Sequence, residues 1–451
     1  MFKTVRDINL KGKRVLLRAD YNVPLNKDGT IADDYRIVQS IPTVKYLLAQ
    51  GAHVVICSHL GRPTGKRDTH FSLKPVAKRL QELLGHKVLF ADDCIGPVAD
   101  KAVKSLPHGD VLLLENLRFH PEEEANDPKF AEALASLADV FVQDGFGVVH
   151  RAHASTEGIT HFLPSVGGIL LEKEYVTLEG VINRPQRPLM AIIGGAKIAD
   201  KIEILRRFID IADFVAVGGA MANTFLLAMG IETGKSLTEP KDVPLAKEIM
   251  DRAKAKATKQ PFIFYLPQDG VVATKIDDQA HTRIVDWHTQ VVADIENYPK
   301  HPPHEASRVK ADELILDIGP FSGAFIAGGI QLAKTVIWNG TMGVTETSAR
   351  AGLGPVGPFA HGTELIVEAL MGQFGHRPFS VVGGGDTVSY VEERKLTDAF
   401  DHVSTGGGAS LELMSGKILP GIAALQRVPV HVHTAQDARQ ATKVVQSERK
   451  A

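Results

Sequence analysis

Five segments in the second half of the chain join a short apolar run to a turn that contains glycine. They are Met190–Lys197, Phe214–Met221, Thr335–Gly343, Phe379–Thr387 and His402–Ser410. Glycine lets backbone N–H groups come close to a ligand, and a helix N-terminus adds a partial positive charge, so turns that lead into helices attract anions. At the carboxyl edge of one parallel sheet, several such turns would bind the phosphates of a nucleotide. A single turn is equally compatible with a plain strand-to-helix connection, but the recurrence favours the binding surface.

The first half of the chain alternates apolar strand-like runs with amphipathic helical patterns. The predicted strands are Val15–Arg18, His53–Ser58, Lys87–Phe90, Val111–Glu115 and Val140–Gln143. The predicted helices are Arg36–Gln50, Leu73–Leu84 and Phe130–Ala138. Near-continuous apolar strands that alternate with helices are typical of a parallel sheet covered on both faces. We therefore predict an α/β fold with two doubly wound, Rossmann-like parallel-sheet domains joined by a helical hinge.

The length of the chain and its linker patterns set the predicted domains. At 451 residues it exceeds what one hydrophobic core usually supports, which indicates two domains. We place an N-terminal domain at residues 1–168, a linker helix at 169–184 and a C-terminal domain at 185–405. Residues 406–451 are expected to pack back on the N-terminal domain and to end in a frayed tail. Residues 278–312 are polar and are interpreted as an insertion, and Glu122–Glu124 is a second hinge candidate.

The overall charge and the cysteine content exclude several classes of function. A formal net charge of −2 gives no general attraction to nucleic acid or to an anionic membrane, so we expect neither as a partner. No apolar stretch reaches the roughly 18–20 residues that a membrane span needs. The two cysteines, Cys57 and Cys94, lie in or beside apolar runs and are interpreted as reduced thiols of a cytoplasmic protein.

Basic residues recur just after the predicted strands of the first half. Arg62, Arg118 and Arg151, together with His59 and His150, follow three different strands. Because the carboxyl ends of parallel strands meet at one edge of the sheet, these residues are expected to form one basic cluster, which Arg36 can join. Guanidinium groups bind carboxylate or phosphate through two hydrogen bonds, so the cluster indicates a small, highly anionic ligand. Surface ion pairs with nearby acidic residues are the alternative.

Three other patterns carry less weight. Gly230–Ser236 resembles a phosphate-binding P-loop, but it has three residues between its glycines where the motif needs four, and it follows a helical stretch. Gly352–Gly357 matches GxGxxG without a preceding strand. His431 and His433 lack a partner ligand at metal-binding spacing.

Several motifs, in order along the chain, together resemble the phosphoglycerate kinase family. In the first half they are Arg18–Leu25, Ser58–Pro63, Leu114–His120 and His150–Ser155. In the second half they are Gly194–Lys201, Trp338–Gly340, Gly383–Thr387 and Ser404–Ser410. The motifs span nearly the whole chain. The resemblance implies that the first domain binds phosphoglycerate and the second binds a magnesium nucleotide.

The resemblance also implies roles for individual residues. The phosphoglycerate-binding residues would be Asp20, Asn22, Arg36, His59, Leu60, Gly61, Arg62, Arg118, His150 and Arg151. The nucleotide-binding residues would be Lys201, Gly319, Asn339, Glu346, Gly384, Gly385, Asp386 and Thr387, with Asp386 holding Mg²⁺. Arg36, Lys197 and Lys201 would be catalytic.

The implied reaction is reversible phosphoryl transfer between 1,3-bisphosphoglycerate and MgADP, which gives 3-phosphoglycerate and MgATP. We expect a monomer with Mg²⁺ as its cofactor, and a hinge closure that excludes water during direct transfer. The chain departs from the family at Thr341, where proline is usual, at Thr345, where an aromatic residue is usual, and at Phe321 and Gly323.

Because these departures fall on the expected adenosine side, the alternative is a catalytically impaired pseudoenzyme that binds nucleotide or phosphoglycerate. A dinucleotide-dependent dehydrogenase is a third hypothesis, but the chain lacks a GxGxxG between a strand and a helix.

Overall fold

The computed structural model describes residues 2–287, 307–349 and 355–427, which belong to two compact units. Unit 1 extends to Val176 and includes the segment from Lys417 onward, and unit 2 comprises Thr177–Gly416. The division between them falls within a helix, Ile169–Asn183, close to the residues in which the sequence places the linker.

Unit 1 is built around a sheet of six parallel strands. The strands are β1 (Arg14–Arg18), β2 (His53–Cys57), β3 (Val88–Ala91), β4 (Val111–Leu114), β5 (Val140–Gln143) and β6 (Ser165–Gly167), in the order β3-β4-β2-β1-β5-β6. The helices are α1 (Tyr35–Ala49), α2 (Lys74–Leu84), α3 (Gly96–Lys104), α4 (Pro121–Glu124), α5 (Pro128–Ala135) and α6 (Ile169–Asn183). The central position of β1 brings the loops after β1, β2 and β5 to neighbouring places on the carboxyl edge.

Alternate residues of the strands in unit 1 form two separate cores. Leu17 and Ile56 pack in one hydrophobic cluster with residues of α1 and α2, whereas Leu16 and Val55 pack in another with residues of α3 and α5. Successive side chains of a strand point to opposite faces, so an unbroken apolar strand must be covered on both sides. The doubly wound prediction is confirmed for this unit.

Unit 2 contains a second sheet of six parallel strands. Its strands are β7 (Leu189–Ile193), β8 (Phe214–Val217), β9 (Ile263–Tyr265), β13 (Thr335–Asn339), β14 (Phe379–Gly383) and β15 (His402–Val403), in the order β15-β14-β13-β7-β8-β9. The helices are α7 (Ile202–Ile211), α8 (Ala220–Ala228), α9 (Val243–Ala257), α10 (Pro320–Leu332), α11 (His361–Leu370), α12 (Gly385–Glu393) and α13 (Gly408–Met414). All five glycine-bearing turns leave strands of this sheet, and four of them precede helices as predicted.

Unit 2 also contains a small antiparallel sheet, one strand of which lies within the predicted polar insertion at residues 278–312. Its strands are β10 (Asp269–Ala273), β11 (Arg283–Asp286) and β12 (Leu314–Ile318), in the order β11-β10-β12. Trp287 follows β11 and is buried, and its indole N–H donates to the carbonyl of Pro267 at 2.7 Å. The predicted insertion therefore contributes β11 and the buried Trp287, which its polar composition did not indicate. The remainder of the polar stretch, residues 288–306, lies outside the described residues.

The C-terminal segment contains α14 (Pro420–Gln426), which packs within unit 1. The backbone N–H of Gly421 donates to the carbonyl of Val149 at 2.9 Å, and Arg427 pairs with Glu157 at 2.9 Å. The predicted frayed tail beyond residue 427, with His431 and His433, lies outside the described residues, as do Gly352 and Gly354. Among the described residues, no helix combines the length and the apolar character needed to cross a membrane.

Candidate functional site

The carboxyl edge of the sheet in unit 1 carries a cluster of basic side chains, as the strand pattern predicts. Asp20, just beyond β1, is buried, and its carboxylate accepts a hydrogen bond from the Arg36 guanidinium at 2.8 Å. The same carboxylate accepts from the backbone N–H of Asn22 at 3.2 Å. Arg36 lies in the first turn of α1, so Asp20 holds that guanidinium at the end of the strand.

A second set of contacts fixes the turn after β2. The side-chain oxygen of Asn22 accepts from the N–H of Gly61 at 2.8 Å, and the carbonyl of Gly61 accepts from Arg118 at 2.8 Å. Gly61 has a positive φ of +62°, and an added Cβ would collide with the ring of Phe71, so this position requires glycine. The preceding residue, Leu60, is buried. Asn22, Leu60, Gly61 and Arg118 therefore belong to one rigid element.

Two buried histidines in this region, His59 and His153, have lowered pKa values, so the arginines supply the charge of the cluster. His59 is 3% exposed, and burial together with nearby cations lowers its pKa well below 6.5. Burial and the same cations lower the pKa of His153 to about 3. Burial also lowers the pKa of Arg118, although its Nε is 3.0 Å from a carboxylate oxygen of Glu124. Arginine stays protonated at any ordinary pH.

The remaining predicted residues of this set lie on two loops. In the loop after β5, the Nε of Arg151 donates to the Nε2 of His150 at 3.3 Å. The charge of Arg151 also lowers the pKa of Arg118 and His153, which places it within electrostatic range of the cluster. Arg62 is exposed on the turn that follows Gly61. The sequence motifs contain Arg18, His153 and Ser155 but assign them no role, and Glu123 is predicted only as part of the hinge candidate Glu122–Glu124.

In unit 2, the turns after β7, β8 and β13 approach each other more closely than residues with side chains would allow. A Cβ on Gly340 would meet the backbone of Gly194, and one on Gly219 would lie 2.6 Å from the backbone nitrogen of Gly195. Gly340 also has a φ of +105°, which favours glycine. These contacts place the backbone of three turns side by side at the carboxyl edge.

The first turn of α12 is fixed to the end of β13. The hydroxyl of Thr387 accepts from the N–H of Gly340 at 2.6 Å. Gly384 precedes α12 with a φ of +89°, and an added Cβ there would lie 3.0 Å from the side-chain oxygen of Asn339. Asn339 is buried, and its side-chain NH₂ has no hydrogen-bond partner within the described part of the chain. A buried donor facing a helix N-terminus without a partner is suited to an anionic oxygen of a ligand.

Two lysines extend from the loop between β7 and α7. The ammonium group of Lys201 donates to the side-chain oxygen of Asn339. Burial lowers the pKa of Lys201 to about 8, while the carboxylates of Asp386 and Asp200 oppose that shift. Asp386 is exposed on the first turn of α12, and Lys197 is exposed on the same loop as Lys201. Lys201, Asn339, Gly384, Asp386 and Thr387 thus form one polar site.

A cavity of about 250 Å³ extends from this polar site into unit 2. Its lining includes Gly195, Gly219 and Asp386, together with Leu237, Pro267, Thr341, Met342, Val344 and Glu346. The cavity therefore combines backbone and charged groups with apolar side chains, as the binding of a nucleotide requires. The sequence interpretation missed Gly219, Leu237, Pro267 and Met342; the turn at Phe214–Met221 was the available signal for Gly219.

Gly319 and Gly323 lie at a different cavity, of about 820 Å³, beside α10 and α11. Asp269 caps α10, since its carboxylate accepts from the N–H groups of Phe321 and Ser322, each at 2.9 Å. Gly319 follows Ile318, and its N–H donates to the carbonyl of Asp269 at 3.0 Å. Because Ile318 and Asp269 also line the smaller cavity, Gly319 lies between the two cavities, and its place in the nucleotide site stays a prediction. Of the departures noted above, Thr341 lines the smaller cavity, whereas Gly323 does not.

Two further patterns are structural. Gly230–Ser236 follows α8 without an intervening strand, as predicted, and the Ser236 hydroxyl accepts from the N–H of Ile315 at 2.8 Å. Asp93, Cys94 and His120 bring potential metal ligands within 4.8 Å of one another. Burial raises the pKa of the Cys94 thiol well above 9, and the Nε2 of His120 is 2.7 Å from Asp93. The contact with Asp93 gives His120 a structural partner.

Comparison with known proteins identifies the family. The family model described as phosphoglycerate kinase matches residues 5–417. Phosphoglycerate kinase of Chloroflexus aurantiacus is 46% identical over 426 residues, covering 94% of this chain and 98% of the relative. That of Moorella thermoacetica is 47% identical over 425 residues, covering 94% of this chain and 98% of the relative.

The fold agrees with the sequence match. The structure of phosphoglycerate kinase from Coxiella burnetii superimposes with a TM-score of 0.77 at 36% identity, and the match covers 94% of this chain and 99% of that one. The match extends over both parallel-sheet units and over the motifs that carry the two sites. The chain therefore belongs to the phosphoglycerate kinase family, a family of glycolytic kinases.

Proposed function

We propose that this chain transfers a phosphoryl group directly and reversibly between the acyl phosphate of 1,3-bisphosphoglycerate and the β-phosphate of MgADP. The products are 3-phosphoglycerate and MgATP. The observation that carries the proposal is the cluster in unit 1, where arginines from several loops gather at the carboxyl edge of one sheet. Several guanidinium groups at one place suit a small ligand with several negative charges.

In unit 1, Arg36, Arg118, Arg62 and Arg151 bind the phosphate and carboxylate groups of phosphoglycerate. Asp20 orients Arg36, and Asn22 fixes the Gly61 turn against which Arg118 is held. His59 and His150 add hydrogen bonds. Because the supporting contacts exist without the substrate, the arginines lose little rotamer freedom on binding.

In unit 2, the glycine turns and the N-terminus of α12 bind the nucleotide phosphates, and Glu346 binds the ribose. The NH₂ group of Asn339 and the ammonium group of Lys201 face the same place. Asp386 is the residue that would hold Mg²⁺, which proteins usually bind through one or two carboxylates together with substrate phosphates. When bound, the ion neutralises phosphate charge.

The reaction needs positioning and positive charge rather than a general base. The attacking oxygen is already anionic, and the leaving carboxylate has a pKa of about 4 in the free acid. Lys197 and Lys201 in unit 2 and Arg36 in unit 1 stabilise the charge on the migrating group. Lys197 is exposed and has a long, flexible side chain, so it can follow that group.

Direct transfer requires the two bound substrates to meet with water excluded. We propose that a closure about α6, which the division between the units crosses, brings them together. We also propose that the enzyme acts as a cytoplasmic monomer; the free, buried thiols of Cys57 and Cys94 support a reducing compartment.

A coupled assay with 1,3-bisphosphoglycerate and MgADP tests the proposal. We expect formation of ATP that depends on both substrates and on Mg²⁺. Separate titrations with 3-phosphoglycerate, ATP and GTP accompany the assay. Binding of 3-phosphoglycerate and ATP without turnover would instead identify the pseudoenzyme, for which Thr341 in the nucleotide cavity is the motivating observation.

A further inference from the structure

Arg18, the last residue of β1, is a buried arginine beneath the phosphoglycerate site. It is 1% exposed. Its Nε donates to the hydroxyl of Ser155 at 2.8 Å, one terminal nitrogen donates to the carbonyl of Ala19, and the other lies 3.2 Å from the Nδ1 of His59. Each of the three guanidinium nitrogens therefore has a partner inside the protein.

The positive charge of Arg18 is compensated through Ser155. Glu123 is completely buried, and its carboxylate accepts from the hydroxyl of Ser155 at 2.5 Å and from its backbone N–H at 2.9 Å. The hydroxyl accepts from Arg18 and donates to Glu123, so it relays one hydrogen bond between the two charges. This network joins the end of β1, the loop after β5 and the helix α4.

The contact with His59 fixes where the imidazole proton lies. A guanidinium group has only donors, so the Nδ1 of His59 must accept, and a neutral imidazole then carries its proton on Nε2. We propose that Arg18 is a positioning residue that holds His59 as the neutral Nε2–H tautomer, so that His59 offers phosphoglycerate one hydrogen-bond donor and no charge. This inference rests on the proposed function only in naming the ligand that receives the hydrogen bond.

The surroundings of His59 favour the same protonation state. Cationic or basic groups reach it from four elements: Arg18 from β1, Arg36 from α1, Arg118 from the segment after β4, and His153 from the loop after β5. One carboxylate approaches, since an oxygen of Asp20 lies 3.9 Å from the Nδ1, but Asp20 is already paired with Arg36. A proton added to Nδ1 would point at the Arg18 guanidinium. The charge of the site therefore stays with the arginines.

Nitrogen NMR of the protein labelled with ¹⁵N-histidine tests the tautomer without any substrate. For His59, we expect the signature of an unprotonated Nδ1 and a protonated Nε2, with no titration between pH 5.5 and 8. A proton on Nδ1, or a titration within that range, would overturn the inference. Because no ligand is present, this result is independent of the proposed reaction.

Variants of Arg18 test whether it imposes this state. In Arg18→Met, the Nδ1 of His59 loses the donor that makes it an acceptor, while burial and the remaining cations still keep the ring neutral. We therefore expect the nitrogen spectrum to show a mixture of the two neutral tautomers, and the Kd for 3-phosphoglycerate to rise severalfold because the Nε2–H donor is only partly populated. Arg14→Gln is the matched control, because Arg14 lies on the same strand in a partly exposed pair with Asp139. A folded Arg18→Met protein in which His59 keeps the Nε2–H tautomer alone would contradict the proposal.

Variants of His59 keep the proposal testable if Arg18→Met does not fold. Glutamine places an N–H donor near the position of Nε2, whereas leucine provides none. We expect His59→Gln to bind 3-phosphoglycerate within about threefold of wild type, and His59→Leu to bind at least about tenfold more weakly. Equal losses in the two variants would show that the donor is not what His59 contributes. Absence of 3-phosphoglycerate binding by the wild-type protein would reject the proposed function and leave the NMR result standing.

Discussion

The candidate anion-binding sites of the two units are built from different chemical groups. Unit 1 uses side chains: arginines from several loops are held by a buried network that includes Asp20, Arg18 and Glu123. Unit 2 uses backbone: glycines such as Gly340 and Gly384 let turns approach each other and expose the N-terminus of α12. Both sites lie at the carboxyl edge of a six-stranded parallel sheet.

The difference shows what each kind of site requires from the rest of the protein. A guanidinium group brings a full charge, so it must be oriented by partners and its own burial must be compensated. A backbone amide brings a partial charge whose direction the helix fixes, so it needs only the absence of side chains around it. We therefore expect unit 1 to be sensitive to loss of charge and unit 2 to be sensitive to added volume.

Lys197→Ala tests whether the backbone donors of unit 2 are sufficient for phosphoryl transfer without this lysine. We expect kcat to fall by about 10²–10³, because the variant loses a cation that follows the transferred group, while the Kd for MgADP changes little. Lys235→Ala is the control, since Lys235 is also exposed but lies in the segment that only resembles a P-loop. Rapid-quench or coupled kinetics measure both variants. A Lys197→Ala enzyme with unchanged kcat would show that the lysine has no part in transfer.

Gly340→Ala tests the claim about added volume directly. The new methyl group would meet the backbone of Gly194 at a φ of +105°, and we expect a loss of about 2–4 kcal/mol in the free energy of unfolding. Gly328→Ala is the matched control: a Cβ there meets no atom within 4 Å, and α10 gains a better helix former. Denaturant titration compares the two. Equal stabilities would contradict the close approach of the turns.

Arg36→Gln tests the dependence of unit 1 on charge. Loss of a charged hydrogen bond to the ligand costs about 1.5–3 kcal/mol, so the Kd for 3-phosphoglycerate should rise about tenfold to a hundredfold while the Kd for MgADP is unchanged. Arg79→Gln is the control, because Arg79 in the same unit is paired with Asp34 and Glu82 on the surface. Calorimetric titration of both ligands measures the effect. A loss of MgADP binding in Arg36→Gln would mean that the two sites are not separate.

The pH dependence of nucleotide binding is the smallest of the expected effects, and it concerns the charge of Lys201 in unit 2. Lys201 has a pKa of about 8, so it is charged below that pH and loses its charge above it. Phosphate oxygens favour the charged form, and we expect the Kd for MgADP to rise by at most about tenfold from pH 7 to pH 9, with uptake of protons on binding near pH 8. Titrations in buffers of different ionisation enthalpy measure that uptake. Binding with no proton uptake would show that Lys201 does not contact the phosphates.

Most strands and helices could be predicted because their periodicity is strong. The strand Val140–Gln143 matches β5 at both ends, and the predicted helix Arg36–Gln50 differs from α1 by one residue at each end. The strands β6, β9, β10, β11 and β12 are not among the predicted ones. In β11 only Val285 is buried, and the small sheet depends on Trp287 and on pairing with β10 rather than on local pattern.

The site residues could be predicted where a motif supplied them, but their partners could not. Arg118 and Gly61 are far apart in sequence, and their hydrogen bond depends on β2 and β4 being neighbours in the sheet. Gly319 is a second example: its motif assigns it to the nucleotide site, which stays a prediction, whereas its hydrogen bond to Asp269 depends on how β10 and β12 pair.

The sequence by itself determined the fold class, the positions of the glycine turns and the inventory of cations, because these follow from local periodicity and residue chemistry. Only the tertiary structure decided which charges are buried and which histidines and lysines have lowered pKa values. Those properties depend on how much water is excluded around each group and on charges brought near it from distant parts of the chain. Arg18 illustrates both parts: its position at a strand end is visible in the sequence, whereas its role toward His59 and Ser155 arises from packing.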